Sequence, residues 1–138
     1  MAGYSGKPLA AKLGIKPGMP VVLLGAPDAL DALLAPVPDG VTVVHSLDAV
    51  AGAPFLHYFT TQHAQLQADF AALKAALAPD GMLWISWPKR ASKVATDLDE
   101  NVIRAIGLAH GLVDVKVAAV DATWSALKFV YRKADRPR

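Results

Sequence analysis

The sequence predicts one three-layer α/β domain, in which helices cover both faces of a mostly parallel sheet that ends in an antiparallel hairpin. Short apolar runs without alternation, such as Val21–Leu24, are typical of strands buried on both faces. Segments of helix length separate most of these runs, as in parallel sheets. The connection between the last two predicted strands is too short for a parallel crossover. The 138 residues are the usual size of one domain.

The first half of the chain is predicted to contain three strands, each introduced by proline or a turn. Pro27 and Asp28 favour a helix start, since proline is preorganised there and the carboxylate complements the helix dipole. The predicted elements are an arm over residues 1–18 with one helical turn at Pro8–Leu13, a strand at Pro20–Gly25, a helix from Asp28 to Leu34, a strand at Val41–His45, a loop or weak helix at 46–53, and a strand at Pro54–Phe59.

The second half is predicted to contain two longer helices and three strands. Leu66, Phe70, Leu73 and Leu77 recur at helical spacing, which indicates one buried helix face. The predicted elements are a helix from a cap at Thr60-Thr61 to Leu77, a turn at Pro79-Asp80-Gly81, a strand from Met82 that Pro88 ends, a helix from a cap at Thr96 or Asp97 to a stop at Gly111, strands at Leu112–Val120 and Ala126–Lys133, and a charged tail at 134–138.

The predicted central strand delivers the chain into a basic loop that contains Lys89, Arg90 and Lys93. In open α/β sheets ligands bind outside the carboxyl ends of the strands. If Leu112–Val120 runs parallel to the central strand, the hairpin turn lies at this same end. The candidate ligand-binding residues are therefore Lys89, Arg90, Ser92, Thr96, Asp97, Trp124 and Ser125, with Lys128 as a further candidate.

These residue types suit a phosphate or carboxylate, because cations and hydroxyls bind oxyanions and Trp124 offers a stacking face. The alternative interpretation is structural: a solvated basic loop, a helix cap at Asp97 and a core tryptophan under the hairpin. Tyr4, Ser5 and Lys7 could fold over the site as a lid, or simply anchor the terminus.

Composition narrows the possible partners. The chain has no cysteine and no apolar signal region at its start, which favours a cytoplasmic location without disulfides. A net charge of +2 does not indicate nucleic acid, and no apolar run reaches bilayer length. The four histidines lack the spacing of a metal site, and no Gly-x-Ser-x-Gly elbow marks a hydrolase.

Two resemblances follow from these elements and motifs. Residues Leu73 to Ser86 and the closing hairpin resemble the second half of class I S-adenosylmethionine-dependent methyltransferases, which implies a Rossmann-like, methyltransferase-like fold. Nearly the whole chain also resembles a small bacterial family of unknown function, which implies the fold and no established activity. The motifs that carry this second resemblance are Gly3–Leu9, Trp87–Ser92, Thr96–Leu98, Gly111–Val117 and Asp121–Ser125.

The sequence meets the needs of a methyltransferase poorly. The loop Gly25-Ala26-Pro27-Asp28 has one glycine and a proline, and Asp48 is the nearest acid after the second strand. The leading prediction is therefore a non-catalytic or regulatory domain that binds a small anionic metabolite or nucleotide. The alternatives are a methyltransferase, with S-adenosylmethionine as cofactor, and a protein-interaction module, including a homodimer through a sheet edge or helix face.

Overall fold

The computed structural model describes residues 8–49 and 52–136. Within these ranges, four α-helices and six strands follow one another along the chain. They are α1 (Leu9–Leu13), β1 (Pro20–Leu24), α2 (Leu30–Leu34), β2 (Thr42–Val44), β3 (Ala53–Phe59), α3 (His63–Ala76), β4 (Leu77–Pro88), α4 (Glu100–Ala109), β5 (Leu112–Ala119) and β6 (Trp124–Tyr131).

All six strands form one sheet in the order β2-β1-β3-β4-β6-β5. The first four strands in this order pair in parallel, and β6 pairs antiparallel with both of its neighbours. The predicted mostly parallel sheet with a closing hairpin is thereby confirmed. Strand β1 lies between the two strands that follow it in the chain, so the strand order reverses between β1 and β3.

Helices cover both faces of the sheet and divide the core into two clusters. Leu66, Phe70 and Ile103 of α3 and α4 are buried on one face, where they pack with Leu83, Ile85 and Phe129 of the strands. Leu13 and Leu30 of α1 and α2 pack on the opposite face, around Phe55 and Trp84. The Trp84 indole Nε1–H donates a 2.9 Å hydrogen bond to the Leu13 carbonyl oxygen, which fixes α1 to the central strand.

Several predicted boundaries are wrong. Residues Leu77–Pro88 form one strand, so Pro79-Asp80-Gly81 is an irregularity inside β4 rather than a turn before it. The register shows this directly, because Ala53 pairs with Leu77 whereas Phe55 pairs with Met82, which leaves extra residues on β4. Helix α2 begins at Leu30, two residues after Asp28, and β6 begins at Trp124, two residues before Ala126.

The two edges of the sheet differ in length and exposure. Strand β2 has three residues, whereas β5 has eight and exposes Val115 and Val117 beside Lys116. The homodimer suggested by the sequence stays a prediction. None of the helices in the described ranges has both the length and the hydropathy that crossing a membrane requires.

A glycine in α4 provides a test of how tightly this helix packs. A Cβ at Gly107 would overlap the ring of Phe129, which is fully buried. Overpacking costs about 1–3 kcal/mol, and alanine normally stabilises a helix by about 1 kcal/mol relative to glycine. We expect Gly107→Ala to lower the free energy of unfolding in urea by a net ~1 kcal/mol, whereas Leu108→Ala at an exposed position changes it little. A more stable Gly107→Ala protein would show that α4 yields to the added methyl group.

Candidate functional site

The loop that follows β4 borders a cavity of about 670 Å³ at the carboxyl end of the sheet. We call it the basic-loop cavity. Five of the seven predicted ligand-binding residues line it, namely Lys89, Arg90, Thr96, Asp97 and Ser125. The other lining residues are Trp87, Pro88, Lys93, Val94, Ala95, Leu98, Asp99 and Glu100. Lys93, Asp99 and Glu100 were not among the predicted site residues, although they lie in the same loop and helix start.

Backbone contacts set the shape of the basic loop. Trp87 and Pro88 pair with Ser125 and Trp124 across the β4–β6 ladder. The Lys89 N–H then donates a 2.7 Å hydrogen bond to the carbonyl oxygen of Thr123. The hairpin turn therefore lies beside the basic loop, where the predicted strand directions require it to be.

The structure places two of the predicted site residues outside the cavity lining. The Ser92 hydroxyl donates to the Lys89 carbonyl at 2.6 Å and accepts from the Val94 N–H at 3.3 Å, so it holds the loop in shape. The Trp124 ring packs edge-on against Phe59 at 5.2 Å, on the α1 side of the sheet. Lys128 also lies away from this cavity. The predicted lid residues Tyr4, Ser5 and Lys7 lie outside the described residues.

Thr96 and Asp97 connect the basic loop to α3. The Thr96 hydroxyl donates to the Thr61 carbonyl at 2.6 Å, and Asp97 Oδ1 accepts from the N–H of His63, the first residue of α3, at 2.7 Å. The prediction that one of these two residues caps the following helix is wrong. Asp99 caps α4, since its Oδ1 accepts from the Val102 N–H at 2.8 Å.

The basic-loop cavity is lined by three cations and three acids, and among these side chains only the acids are bonded within the described part of the protein. Its three acids already have partners: Asp97 and Asp99 accept the backbone N–H groups named above, and Glu100 forms an ion pair with Arg104. Within the described ranges, none of the three cations Lys89, Arg90 and Lys93 forms a salt bridge. The cavity can therefore receive an anionic group.

A second cavity, of about 450 Å³, lies at the carboxyl ends of β1, β2 and β3, on the α3 side of the sheet. We call it the switch-point cavity, because the strand order reverses here, and such reversals are where open α/β sheets bind ligands. Its lining residues are Leu24, His45, Ser46, Leu47, Asp48, Tyr58, Asp69, Ala72 and Leu73.

The switch-point cavity contains two acids of different character. Asp69 Oδ2 accepts a 2.6 Å hydrogen bond from the Tyr58 hydroxyl, and burial together with this bond raises the pKa of Tyr58. Asp48 is exposed and its carboxylate makes no hydrogen bond with the described residues, whereas its N–H donates to the Ser46 hydroxyl oxygen. The sequence identified Asp48 as the nearest acid after β2 but gave no sign of Tyr58 and Asp69, which only the packing of α3 on β3 brings together.

The loop after β1 does not provide the open glycine turn of a typical nucleotide site. Gly25 has φ +67°, and a Cβ there would lie 2.6 Å from the carbonyl oxygen of Phe59. Glycine is thus required at this position for the close approach of β1 and β3. Pro27 follows two residues later and has no N–H to offer a ligand.

A buried histidine lies in β3, an interior strand, on the α1 side of the sheet. His57 is fully buried, and its Nε2 lies 2.6 Å from the Ser86 hydroxyl oxygen. Its ring stacks on Phe59 at 4.2 Å, and Nδ1 has no hydrogen-bond partner among the described residues. Burial lowers the pKa of His57 to about 3, so the ring is neutral at physiological pH.

No protein-family model matches this chain, and no curated protein sequence matches it. Several solved structures do match this chain in their fold. A fibrillarin pre-rRNA processing protein of Methanococcus jannaschii aligns with a TM-score of 0.63 and 14% identity over 89% of this chain and 73% of its own. A SAM-dependent methyltransferase of Aquifex aeolicus aligns with a TM-score of 0.59 and 17% identity over 88% of this chain and 86% of its own.

A magnesium protoporphyrin IX methyltransferase of Synechocystis PCC 6803, solved with SAH bound, also aligns with a TM-score of 0.59 and 15% identity, over 90% of this chain and 78% of its own. At these identities the similarities show the fold alone. The chain has the Rossmann-like fold of class I methyltransferases that use S-adenosylmethionine (SAM), as the order of its elements predicted.

The leading functional prediction from the sequence is wrong. It held that the chain is a non-catalytic or regulatory domain for an anionic metabolite or nucleotide, on the grounds of a poor glycine loop. The similar solved structures include several methyltransferases, and these favour the methyltransferase alternative instead.

The neutral state of His57 makes stability depend on pH. In the unfolded chain this histidine has a pKa near 6.5, against about 3 when folded, so the unfolded state binds the extra proton between these values. The contribution of His57 is complete above pH ~6.5 and is lost as the pH falls toward 3, by about 1.4 kcal/mol per pH unit. We measure the free energy of unfolding in urea as a function of pH. We expect His57→Gln to reduce its slope between pH 3 and 6.5, whereas His45→Gln, at an exposed position, leaves the slope unchanged. Identical slopes in all three proteins would contradict the assignment.

Proposed function

We propose that the chain binds SAM in the switch-point cavity and transfers its methyl group to an anionic acceptor in the basic-loop cavity. The observation that carries this proposal is the position of Asp48. Its carboxylate follows β2, borders the switch-point cavity and makes no hydrogen bond with the described residues. An acid at the end of this strand is the usual acceptor for ribose hydroxyls in Rossmann-like sites.

The residues of the switch-point cavity suit the nucleoside half of the cofactor. Leu24, Leu47 and Leu73 provide an apolar wall for the base, while Asp48 would accept hydrogen bonds from the ribose. Gly25 and Pro27 provide less for the methionine half of the cofactor, since the glycine is needed to pack against Phe59. The fit therefore covers the adenosine part of SAM, and the loop after β1 does not supply the further glycines of a typical site.

When bound, SAM supplies an electrophilic methyl group on a positively charged sulfur. The chain's own contribution would be to position the acceptor, which is an effective source of rate enhancement for a transfer between two bound groups. Lys89, Arg90 and Lys93 would bind an acidic group of the acceptor. Thr96 and Asp97 would keep the loop in place through their bonds to the start of α3.

We further propose that the chain belongs to the bacterial family known as domain of unknown function 3052. Two of the motifs that suggest this lie far apart in sequence but form a cross-strand pair. Trp87 pairs with Ser125, Pro88 pairs with Trp124, and Lys89 bonds to Thr123. Motif residues that meet at one edge of a cavity are consistent with a shared site in such a family.

Binding of S-adenosylhomocysteine, the product of methyl transfer, tests the cofactor site. We expect Asp48→Asn to weaken its affinity roughly tenfold or more in calorimetric titration, because hydrogen bonds to a charged group contribute about 1.5–3 kcal/mol. Asp80→Asn is the matched control, since Asp80 is exposed within β4 and does not line either cavity. Equal affinities for all three proteins would remove Asp48 from the site, and absence of binding to the native chain would refute the cofactor.

Transfer of label from methyl-labelled SAM to a protein-free metabolite extract tests the acceptor site. We expect labelled acidic products, and we expect Lys89→Ala to reduce their rate of formation roughly tenfold or more, because it removes a charge-assisted contact. Lys133→Ala, an exposed lysine outside the cavity, serves as the control. Labelling of neutral compounds only, at a rate independent of Lys89, would contradict the acceptor assignment while leaving cofactor binding intact.

A further inference from the structure

Four lysines converge on the α1 side of the sheet, away from both cavities. Lys12 belongs to α1, Lys16 follows that helix, Lys116 belongs to β5 and Lys128 to β6. We call this group the lysine face. None of the four lines the basic-loop cavity or the switch-point cavity. The net charge of the whole chain is only +2, so this concentration is a local feature.

The β5–β6 ladder places two of these lysines directly opposite each other. Lys116 is the cross-strand partner of Lys128, and the next pair on the same face is Ala118 with Ala126, both buried in the α1-side core. Opposed side chains in an antiparallel pair lie close together, and like charges at such positions are destabilising. Helix α1 adds Lys12 to the same group.

Two hydrogen bonds fix the arrangement. Lys116 Nζ donates to the Lys12 carbonyl at 3.2 Å, and Lys12 Nζ donates to the Ala119 carbonyl at 3.3 Å. Both acceptors are neutral backbone groups. The bonds explain how α1 docks on β5, but they bring no negative charge to balance the ammonium groups.

Acidic side chains do not balance these charges either. All twelve Asp and Glu residues fall within the described ranges, and both salt bridges found there involve Arg104 rather than these lysines. Burial lowers the pKa of Lys128, and the charges of Lys116 and Lys16 lower it further. The fold thus keeps mutually repelling cations together without an internal counterion.

We propose that the lysine face binds the closely spaced phosphate groups of an oligophosphate. Lysine is a compact point charge that suits phosphate oxygens, and several phosphates on one ligand match several ammonium groups on one face. The ligand would supply the missing negative charge and relieve the repulsion between Lys116 and Lys128. This site is separate from the proposed methyl-transfer site, because the two share no residue.

Inorganic tripolyphosphate at low salt is the first probe. We expect it to bind the native chain and to raise its Tm, and we expect Lys128→Met to weaken binding roughly tenfold or more, since a charge-assisted contact is lost. Lys16→Met, which alters an exposed side chain with no hydrogen bond to the described part of the chain, should also weaken binding. Lys133→Met is the control of equal charge and should bind as the native chain does.

A short oligouridylate strand is the second probe, and it distinguishes the source of the phosphates. Binding that depends on Lys128 and weakens steeply with salt would assign the face to a nucleic-acid backbone. Binding of tripolyphosphate alone would assign it to a free oligophosphate. No binding of either probe to the native chain, or equal weakening by Lys133→Met, would overturn the proposal. Titration of S-adenosylhomocysteine into Lys128→Met tests the methyl-transfer site independently, and its affinity should be unchanged.

Discussion

The structure depends above all on the burial of β4 between β3 and β6. This strand is parallel to one neighbour and antiparallel to the other, and its side chains are buried on both faces. Leu83 and Ile85 contact the α3 and α4 side, while Trp84 holds α1 through the Leu13 carbonyl. Because β4 is hydrogen-bonded to a strand on each side, the position of Pro88, where the chain leaves the sheet, is fixed as well. The basic loop, the end of the hairpin turn at Ser125 and the start of α4 then meet around one cavity.

The parts of the fold that could be predicted were those with a local signal. Apolar segments of strand length identified all six strands, and the short connection at Asp121–Ser125 predicted the hairpin. Two of the wrong predictions share one cause, which is that a distant partner overrode a local pattern. Pro79-Asp80-Gly81 has the composition of a turn but is absorbed into β4 beside β3. Asp97 has the composition of a cap and does bind a helix N–H, but that of His63, thirty-four positions earlier in the chain.

The site could be predicted only where strand order determined it. The carboxyl end of β4 and the hairpin turn had to coincide once β5 ran parallel to β4, and so Lys89 and Ser125 border one cavity. Trp124 was misjudged because a side chain on the same strand as a site residue can face the opposite side of the sheet. Tyr58 and Asp69 carried no signal at all, since their contact arises from the packing of α3 on β3.

The distribution of charge connects the two proposed sites. Around the basic loop, each acid is bonded to a helix N–H or to Arg104, so its charge serves the fold and not a ligand. On the α1 side, lysines are held by backbone carbonyls, which are neutral. A nearly neutral chain can in this way present, within its described residues, two separate groups of cations that form no salt bridge. One borders the basic-loop cavity at the carboxyl end of β4 and suits a single bound acceptor. The other spans a helix and two strands and suits an anion with several charges, so the shape of each surface, rather than its sign, determines its ligand.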